Sequence, residues 1–283
     1  MREAGVTRET GVVREAGVSG AAQPGAYDEA YYEFNGQIGD RPALRWYTRL
    51  VRRYVGPGPY LDFGCGTGHL VRRLAAAAAG APAGRGSGAA AQGSGAAAQG
   101  SGAAAHAARG SGAAGFEVSG FSAARARQTA PGCPIYTEMA DLPDAHFGGL
   151  TAIHVLEHLD DAQVITALTT WRRILRPGGR ALVVLPDPAG RARKLAGDDW
   201  AGFSDPTHIN LKSHAAWRGV LEAQGFTVLR EGSDGLWNVP YSKLPKLVDA
   251  ALHAGPSLVQ FLAGRLFLRP GTGESAVFVL ERN

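Results

Sequence analysis

The chain has few of the residues that mark secreted, membrane-spanning or metal-binding proteins. Its 283 residues include only two cysteines, Cys65 and Cys133, which lie far apart and lack the spacing of metal ligands. This usage predicts a reduced, cytoplasmic compartment, and we expect no bound metal. Because no run of about 18 uncharged apolar residues occurs, no transmembrane helix is expected.

Concentrated charge is also missing. The formal net charge is +4, and basic residues alternate with acidic residues or with apolar helix positions. Nucleic-acid binding would favour a concentrated basic tract, so we expect no nucleic-acid partner. Charges recur near the N-terminus where a signal peptide needs an apolar region, and none is predicted.

Two segments lack the apolar residues that a packed core needs. Residues 1–24 repeat an Arg-Glu-x-Gly-Val pattern whose period suits neither helix nor strand, which predicts a disordered tail. Residues 85–115 consist almost entirely of Gly, Ser, Ala and Gln, which predicts a flexible insertion. The rest of residues 25–283 is predicted to form one α/β domain. Its extra apolar segment, residues 236–269, is interpreted as a lid, ordinary packing, a membrane-surface element or the interface of a possible homodimer.

The most informative stretch runs from Tyr60 to Leu70. A short apolar strand leads through Asp62 into a turn containing Gly64, Gly66 and Gly68, and then into a helix. Glycines let the backbone turn sharply and approach a ligand, and the helix start offers unpaired N–H groups. Open α/β sheets hold nucleotide-like cofactors in this way.

The Asp-x-Gly-x-Gly-x-Gly spacing resembles motif I of the class I S-adenosylmethionine-dependent methyltransferases. Leu-Glu-His-Leu at 156–159 resembles a signature of the small-molecule methyltransferases, and Arg-Pro-Gly-Gly at 176–179 is common in the family. The resemblance covers residues 27–283 apart from the insertion. It implies a Rossmann-like fold, with a seven-stranded, mostly parallel sheet and an antiparallel last strand, and S-adenosylmethionine as cofactor.

The resemblance also implies which residues contact the cofactor. With a second strand at 116–121, the acidic ribose-binding position maps onto Ser122, and Glu117 is a supporting contact that strand alternation would direct elsewhere. The third-strand motif implies Glu138 at the adenine amino group, or Asp141 if the register differs. The full set implied is Asp62, Gly64, Cys65, Gly66, Gly68, Ser122, Glu138, Met139 and His154.

Two histidines are candidates for the acceptor side. His208 lies in an Asp-Pro-Thr-His-Ile-Asn run and His158 in the Leu-Glu-His-Leu signature. An imidazole titrates near neutrality and can act as a catalytic base, although each histidine could instead be structural. We predict methyl transfer to a small-molecule acceptor, with O-methylation favoured and N- or C-methylation open. The alternatives are a non-catalytic S-adenosylmethionine-binding module of the same fold and, more distantly, a nicotinamide oxidoreductase.

Overall fold

The computed structural model describes residue 31 and residues 38–80, 112–238 and 240–283. The predicted tail, 1–24, and most of the predicted insertion lie outside these residues. The described chain forms seven strands: β1 (Tyr60–Phe63), β2 (Ala113–Phe116), β3 (Ile135–Tyr136), β4 (Phe147–Ile153), β5 (Leu175–Pro186), β6 (Phe226–Ser233) and β7 (Ser275–Arg282).

The strands form one sheet in the order β3-β2-β1-β4-β5-β7-β6. Strand β7 runs antiparallel to both of its neighbours, β5 and β6, and the other pairs are parallel. The predicted seven-stranded Rossmann-like fold is therefore confirmed. Because the chain moves outward from β1 in one direction and from β4 in the other, a crevice opens at their carboxyl ends.

Eight α-helices flank the sheet in the described part of the chain: α1 (Pro42–Leu50), α2 (His69–Ala79), α3 (Gly120–Thr129), α4 (Asp161–Ile174), α5 (Arg191–Ala196), α6 (His214–Ala223), α7 (Lys246–His253) and α8 (Gly255–Ala263). Helix α4 begins at a capping box, in which Asp160 accepts the Gln163 N–H and the Gln163 side chain accepts the Asp160 N–H. Among the described residues, no helix is both long and apolar enough to cross a bilayer.

Both faces of the sheet are buried. Successive residues of β5 alternate between two cores, with Val183 packing on the face covered by α4 and α6 and Val184 on the face covered by α1, α2 and α3. Trp171 and Trp217 fill the first of these cores and are wholly buried. Strands buried on both sides read as near-continuous apolar runs, which is why β5 could be located from sequence.

Strand β2 corrects two predictions. It occupies residues 113–116, not 116–121, and so includes residues assigned to the insertion. Its small residues are needed for close packing, since a Cβ on Gly115 would lie 2.6 Å from the Cys65 sulfur. Helix α3 then begins after Ser119, whose side chain accepts the Ser122 N–H. Residues 113–115, which the composition assigned to the low-complexity insertion, therefore belong to a closely packed strand.

The C-terminal end of α2 lies beside the start of β2. A Cβ built on Gly112 would lie 2.6 Å from the Ala78 Cβ, and the Gly112 carbonyl accepts the Tyr60 N–H at the start of β1. The described chain therefore stops after Gly80 and resumes at Gly112 at the amino ends of the strands, opposite the crevice.

The extra apolar segment, residues 236–269, forms α7 and α8 and buries several of its polar side chains. Asp249, Ser257 and Gln260 are almost fully buried. The Gln260 amide donates to the Ser233 carbonyl and accepts the Phe267 and Leu268 N–H groups. The large exposed apolar side chains of this segment are Trp237, Leu244, Leu247, Val248, Leu252, Leu258, Val259, Leu262 and Phe267. Its role as an interface stays a prediction.

Candidate active site

A cavity lies at the carboxyl ends of β1, β2 and β4. Its wall includes Gly64, Cys65 and Gly66 from the turn after β1, Glu117 and Val118 after β2, and His154, Val155 and His158 after β4. Tyr31, Arg41 and Leu44 line it from the N-terminal side. None of its lining residues within the described part of the chain comes from 236–269, and a lid role for that segment stays a prediction.

The three glycines of the turn have different roles. Gly64 and Gly66 line the cavity, with φ of 74° and 51°. A Cβ on Gly64 would lie 2.6 Å from the Val155 side chain, so the turn is closely packed behind as well as open in front. Gly68 has φ of 84°, and a Cβ there would lie 2.8 Å from the Ala126 Cα. Gly68 thus allows α2 to pack against α3, and it is absent from the described cavity lining.

Glu117 stands where the resemblance called for an acidic residue. Its Oε2 accepts the Gly66 N–H at 2.9 Å and its Oε1 accepts the Ser119 N–H at 2.8 Å. Burial raises the pKa of this carboxyl, against the lowering effect of its backbone hydrogen bonds. Sequence reasoning gave Glu117 only a supporting role because it ended the strand five residues too late; the acidic residue after a short run of small and aromatic residues was the available signal.

Ser122 was the wrong choice for this position. It is wholly buried in the first turn of α3, and its hydroxyl lies 3.2 Å from that of Ser119. Because β2 ends at Phe116, the side chain at its carboxyl end is that of Glu117. Ser122 is a helix-packing residue behind the cavity wall.

Asp62 and Cys65 lie at the cavity as expected. The Asp62 carboxyl accepts the Thr151 hydroxyl at 2.6 Å, and burial raises its pKa to about 7. Burial also raises the pKa of the Cys65 thiol well above its usual value, so this cysteine stays protonated at neutral pH. A protonated thiol is a poor nucleophile, which agrees with a space-filling role.

The structure does not bring Glu138 or Met139 to the cavity. Strand β3 has only two residues, and the chain then turns through a short 3-10 helix, Met139–Asp141. Glu138 is exposed, while Met139 packs beneath α4 with its sulfur 3.6 Å from the Thr170 hydroxyl. The predicted adenine contacts are therefore displaced in this structure, and exposed Val118 lines the cavity next to Glu117 instead.

His154 lines the cavity directly after β4. It adopts a left-handed backbone with φ of 56°, unusual for a residue other than glycine. Its Nδ1 lies 3.1 Å from Oε1 of Glu157, which is fully buried. The turn thus holds one imidazole at the cavity and one carboxylate beneath it.

The two acceptor-side histidines lie together. The rings of His158 and His208 have centroids 4.8 Å apart, and His158 lines the cavity. The His158 Nδ1 lies 2.9 Å from the Thr207 hydroxyl, which donates to Asp205 at 2.5 Å. The other Asp205 oxygen accepts the Tyr31 hydroxyl at 2.9 Å. Burial lowers the pKa of His158, so its imidazole is neutral at physiological pH.

Backbone contacts hold the loop that carries His208 against the turn that carries His158. The Asn210 N–H donates to the Glu157 carbonyl at 3.0 Å, and the Asn210 side chain donates to the Leu159 carbonyl at 2.9 Å. These hydrogen bonds join two segments that lie about 50 residues apart in sequence, and together the segments form one wall of the site. Sequence reasoning named both histidines but missed Thr207 and Tyr31, for which spacing gave no signal.

Comparison with known proteins agrees with this geometry. A family model described as a methyltransferase domain matches residues 36–231, more than half of the chain. A search of proteins with curated functions gave no match. Among solved structures, a possible histamine N-methyltransferase from Thermotoga maritima has a TM-score of 0.53 at 16% identity, covering 90% of this chain and 95% of that one.

Two further structures have the same fold. A complex from Haloferax volcanii between the Trm112 methyltransferase activator and a methyltransferase has a TM-score of 0.53 at 14% identity, covering 90% of this chain and 97% of that one. The mitomycin 7-O-methyltransferase MmcR has a TM-score of 0.50 at 17% identity, covering 90% of this chain and 58% of that one. On this family match the chain belongs to the methyltransferase-domain family, and the solved structures share its fold.

Proposed function

We propose that the protein transfers a methyl group from S-adenosylmethionine to a small-molecule acceptor, with a hydroxyl oxygen as the favoured acceptor atom. The observation that carries this proposal is that His158 lines the same cavity as the glycine turn and Glu117. A cavity lined by apolar side chains with a few convergent polar groups fits a small ligand.

The residues of the cavity fit the cofactor. Gly64 and Gly66 line the cavity with positive φ, so the backbone of the turn itself faces the space for a ligand. Glu117 uses one lone pair of each oxygen for a backbone N–H, and a carboxylate offers about four such sites, which leaves acceptors for the ribose hydroxyls. The sulfonium of S-adenosylmethionine supplies an electrophilic methyl group, which an acceptor atom takes by in-line displacement.

The chain's own contribution is to align the acceptor, exclude water and promote loss of the acceptor's proton. Burial keeps His158 neutral, and its contacts with Thr207 fix the orientation of its ring. Groups that act on a transferring proton typically contribute about 10²–10⁴ in rate. The ring of His208 packs against that of His158, and Asp205 accepts the hydroxyl hydrogen of Thr207.

The rival interpretation, a non-catalytic S-adenosylmethionine-binding module, drew its support from a missing ribose-binding carboxylate at Ser122. That argument no longer applies, because Glu117 supplies a carboxylate at the end of β2.

The test is transfer of a labelled methyl group from S-adenosylmethionine to fractionated metabolites, followed by identification of the labelled product. With the acceptor in hand, His158→Ala should lower turnover by about 10²–10⁴ and leave S-adenosylhomocysteine affinity nearly unchanged. His253→Ala, in α7, is the control. Binding of the cofactor without transfer to any fraction, or full turnover by His158→Ala, would contradict the proposal.

A further inference from the structure

Glu157, His158 and His208 form a cluster of metal-ligating side chains beside the cavity. Each offers one donor atom that lies within 4.8 Å of the other two. Glu157 and His158 belong to the 3-10 helix Leu156–His158 after β4, and His208 belongs to the loop held against it by Asn210. The cluster combines two imidazoles and one carboxylate, a set that binds divalent transition metals.

The carboxylate of Glu157 has one oxygen that the fold leaves unsatisfied. Its side chain is fully buried, and Oε1 is 3.1 Å from His154. Oε2 is also buried and has no hydrogen-bond partner among the described residues. Buried polar atoms almost always have a partner, and leaving an ionised one unpaired is costly. A bound cation would satisfy this oxygen.

The hydrogen bonds of His208 fix its tautomer. Its Nδ1 lies 2.7 Å from the Gly202 carbonyl, which can only accept a hydrogen bond. The proton of the neutral ring is therefore on Nδ1, and Nε2 carries the lone pair that a metal needs.

His158 reaches the same tautomer by a different route. Its Nδ1 lies 3.2 Å from the Thr207 carbonyl and 2.9 Å from the Thr207 hydroxyl. That hydroxyl gives its single hydrogen to Asp205, so towards His158 it can only accept. Nδ1 is again the donor and Nε2 carries the lone pair. An N–H donated to a carbonyl or hydroxyl behind the ring is the usual outer support of a metal-bound histidine.

We propose that Glu157, His158 and His208 bind a divalent first-row transition cation, which holds the acceptor's hydroxyl at the cavity. Ligands about 2.0–2.2 Å from such a cation lie about 3.3–3.6 Å apart in tetrahedral geometry. The three donors, at most 4.8 Å apart, reach that spacing through small side-chain rotations. Of the three residues, His158 lines the cavity, so a cation that it binds would lie next to the space for the acceptor.

The cation would lower the pKa of a hydroxyl that it contacts. The hydroxyl proton passes to solvent, and the oxygen attacks the methyl carbon. The C–O bond forms as the S–CH₃ bond breaks, and the bonding electron pair stays on sulfur, which gives S-adenosylhomocysteine. This role rests on the proposed function, whereas binding of the cation does not.

The direct test is titration of tag-free, metal-stripped protein with Co²⁺. Its d–d absorption bands report coordination by nitrogen and oxygen donors, so the readout does not depend on activity. We expect one equivalent to bind and produce visible bands, Zn²⁺ to displace it, and Mg²⁺ to compete poorly because it prefers oxygen ligands. Absence of a saturable one-to-one spectrum would overturn the proposal.

Variants locate the site. Glu157→Gln, His158→Ala and His208→Ala should each weaken Co²⁺ binding by at least about 100-fold, since even outer partners of metal ligands are worth about 10–100-fold. Thr207→Val, which removes the hydroxyl behind His158, should weaken it by about 10–100-fold. His253→Gln, a histidine paired with Asp249 in α7, should bind Co²⁺ as the wild type does.

Two further measurements separate failure of the site from failure of the proposed function. S-adenosylhomocysteine affinity and the thermal midpoint without metal show whether each variant has folded, and both should stay close to wild type in Glu157→Gln. Unchanged Co²⁺ binding in the three ligand variants would overturn the site even if methyl transfer is found. A one-to-one Co²⁺ site with no transfer to any hydroxyl acceptor would sustain the site and contradict the O-methyl transfer.

Discussion

The carboxylate of Glu117 accepts the backbone N–H of Gly66 at 2.9 Å, and this bond joins the end of β2 to the turn after β1. The other oxygen of the same carboxylate binds the Ser119 N–H at the start of α3. One side chain therefore fixes the shape of the glycine turn while keeping lone pairs free to face the cavity.

Replacing Glu117 by alanine should weaken S-adenosylhomocysteine binding by about 10–100-fold, because hydrogen bonds to charged groups contribute about 1.5–3 kcal/mol. Isothermal calorimetry measures the change. Ser122→Ala is the matched control, since Ser122 lies behind the wall, and its affinity should match that of the wild type. Equal binding by Glu117→Ala would remove Glu117 from the cofactor site.

Gly66 and Gly68 should respond differently to substitution. Gly66→Val places a branched side chain at positive φ on the cavity wall. Cofactor binding should therefore be lost, while the far-UV circular dichroism spectrum should stay that of a folded protein. Gly68→Ala presses against the Ala126 backbone and should cost about 1–3 kcal/mol of stability. Calorimetry and urea unfolding on both variants separate the effects. Unchanged affinity in Gly66→Val would contradict the assignment of the turn.

The pKa of Asp62 makes stability depend on pH in a defined direction. Burial raises the pKa from 3.8 to about 7 in the folded state, so between these values the folded protein binds more protons than the unfolded chain. The contribution of Asp62 to stability is therefore greatest below pH 4 and falls as the pH rises towards 7. Asp234, buried with its pKa also raised to about 7, adds a change of the same sign.

Asp62→Asn removes the first of these contributions and keeps an acceptor for the Thr151 hydroxyl. The free energy of unfolding of the variant, relative to wild type, should rise as the pH increases from 4 to 7 and then level off. Urea titrations at several pH values measure this difference. A difference that does not change with pH would show that Asp62 ionises normally.

The motifs could be predicted from sequence, and the connections between them only in part. Helix α2 begins at His69, directly after the glycine turn that predicts a helix there. Strand β2 could not be placed, because Gly115 is small for a packing reason that becomes visible only beside Cys65 and Ile135. The error in β2 then placed the ribose-binding position that the resemblance implies at Ser122, five residues beyond Glu117.

The clustering of Glu157, His158 and His208 was also beyond sequence reasoning. The two histidines could be named, but their contact depends on the loop that Asn210 ties to the Glu157 carbonyl. The orientation of each ring depends on backbone carbonyls, whose positions no residue type encodes.

Deleting residues 85–110 and closing the gap with a short turn should leave S-adenosylhomocysteine affinity within a few-fold of wild type, because Ala78 and Gly112 lie side by side. Deleting residues 85–114 instead removes two residues of β2 and should give unfolded or insoluble protein. Circular dichroism and calorimetry on the pair provide the comparison. A large loss of affinity in the shorter deletion would show that this segment reaches the cavity.

The contact between Ala78 and Gly112 also bears on how the gene can change. For a flexible loop, doubling the number of residues between two fixed points costs only about 0.6 kcal/mol. Repeated units in this span can therefore be gained or lost with little effect on folding, and because the span is anchored at the amino ends of the strands, such changes stay away from the reaction. We expect the seven-residue Gly-Ser-Gly-Ala-Ala-Ala-Gln unit to vary in copy number between strains, while the length of the chain from Gly112 to Glu117 stays constant.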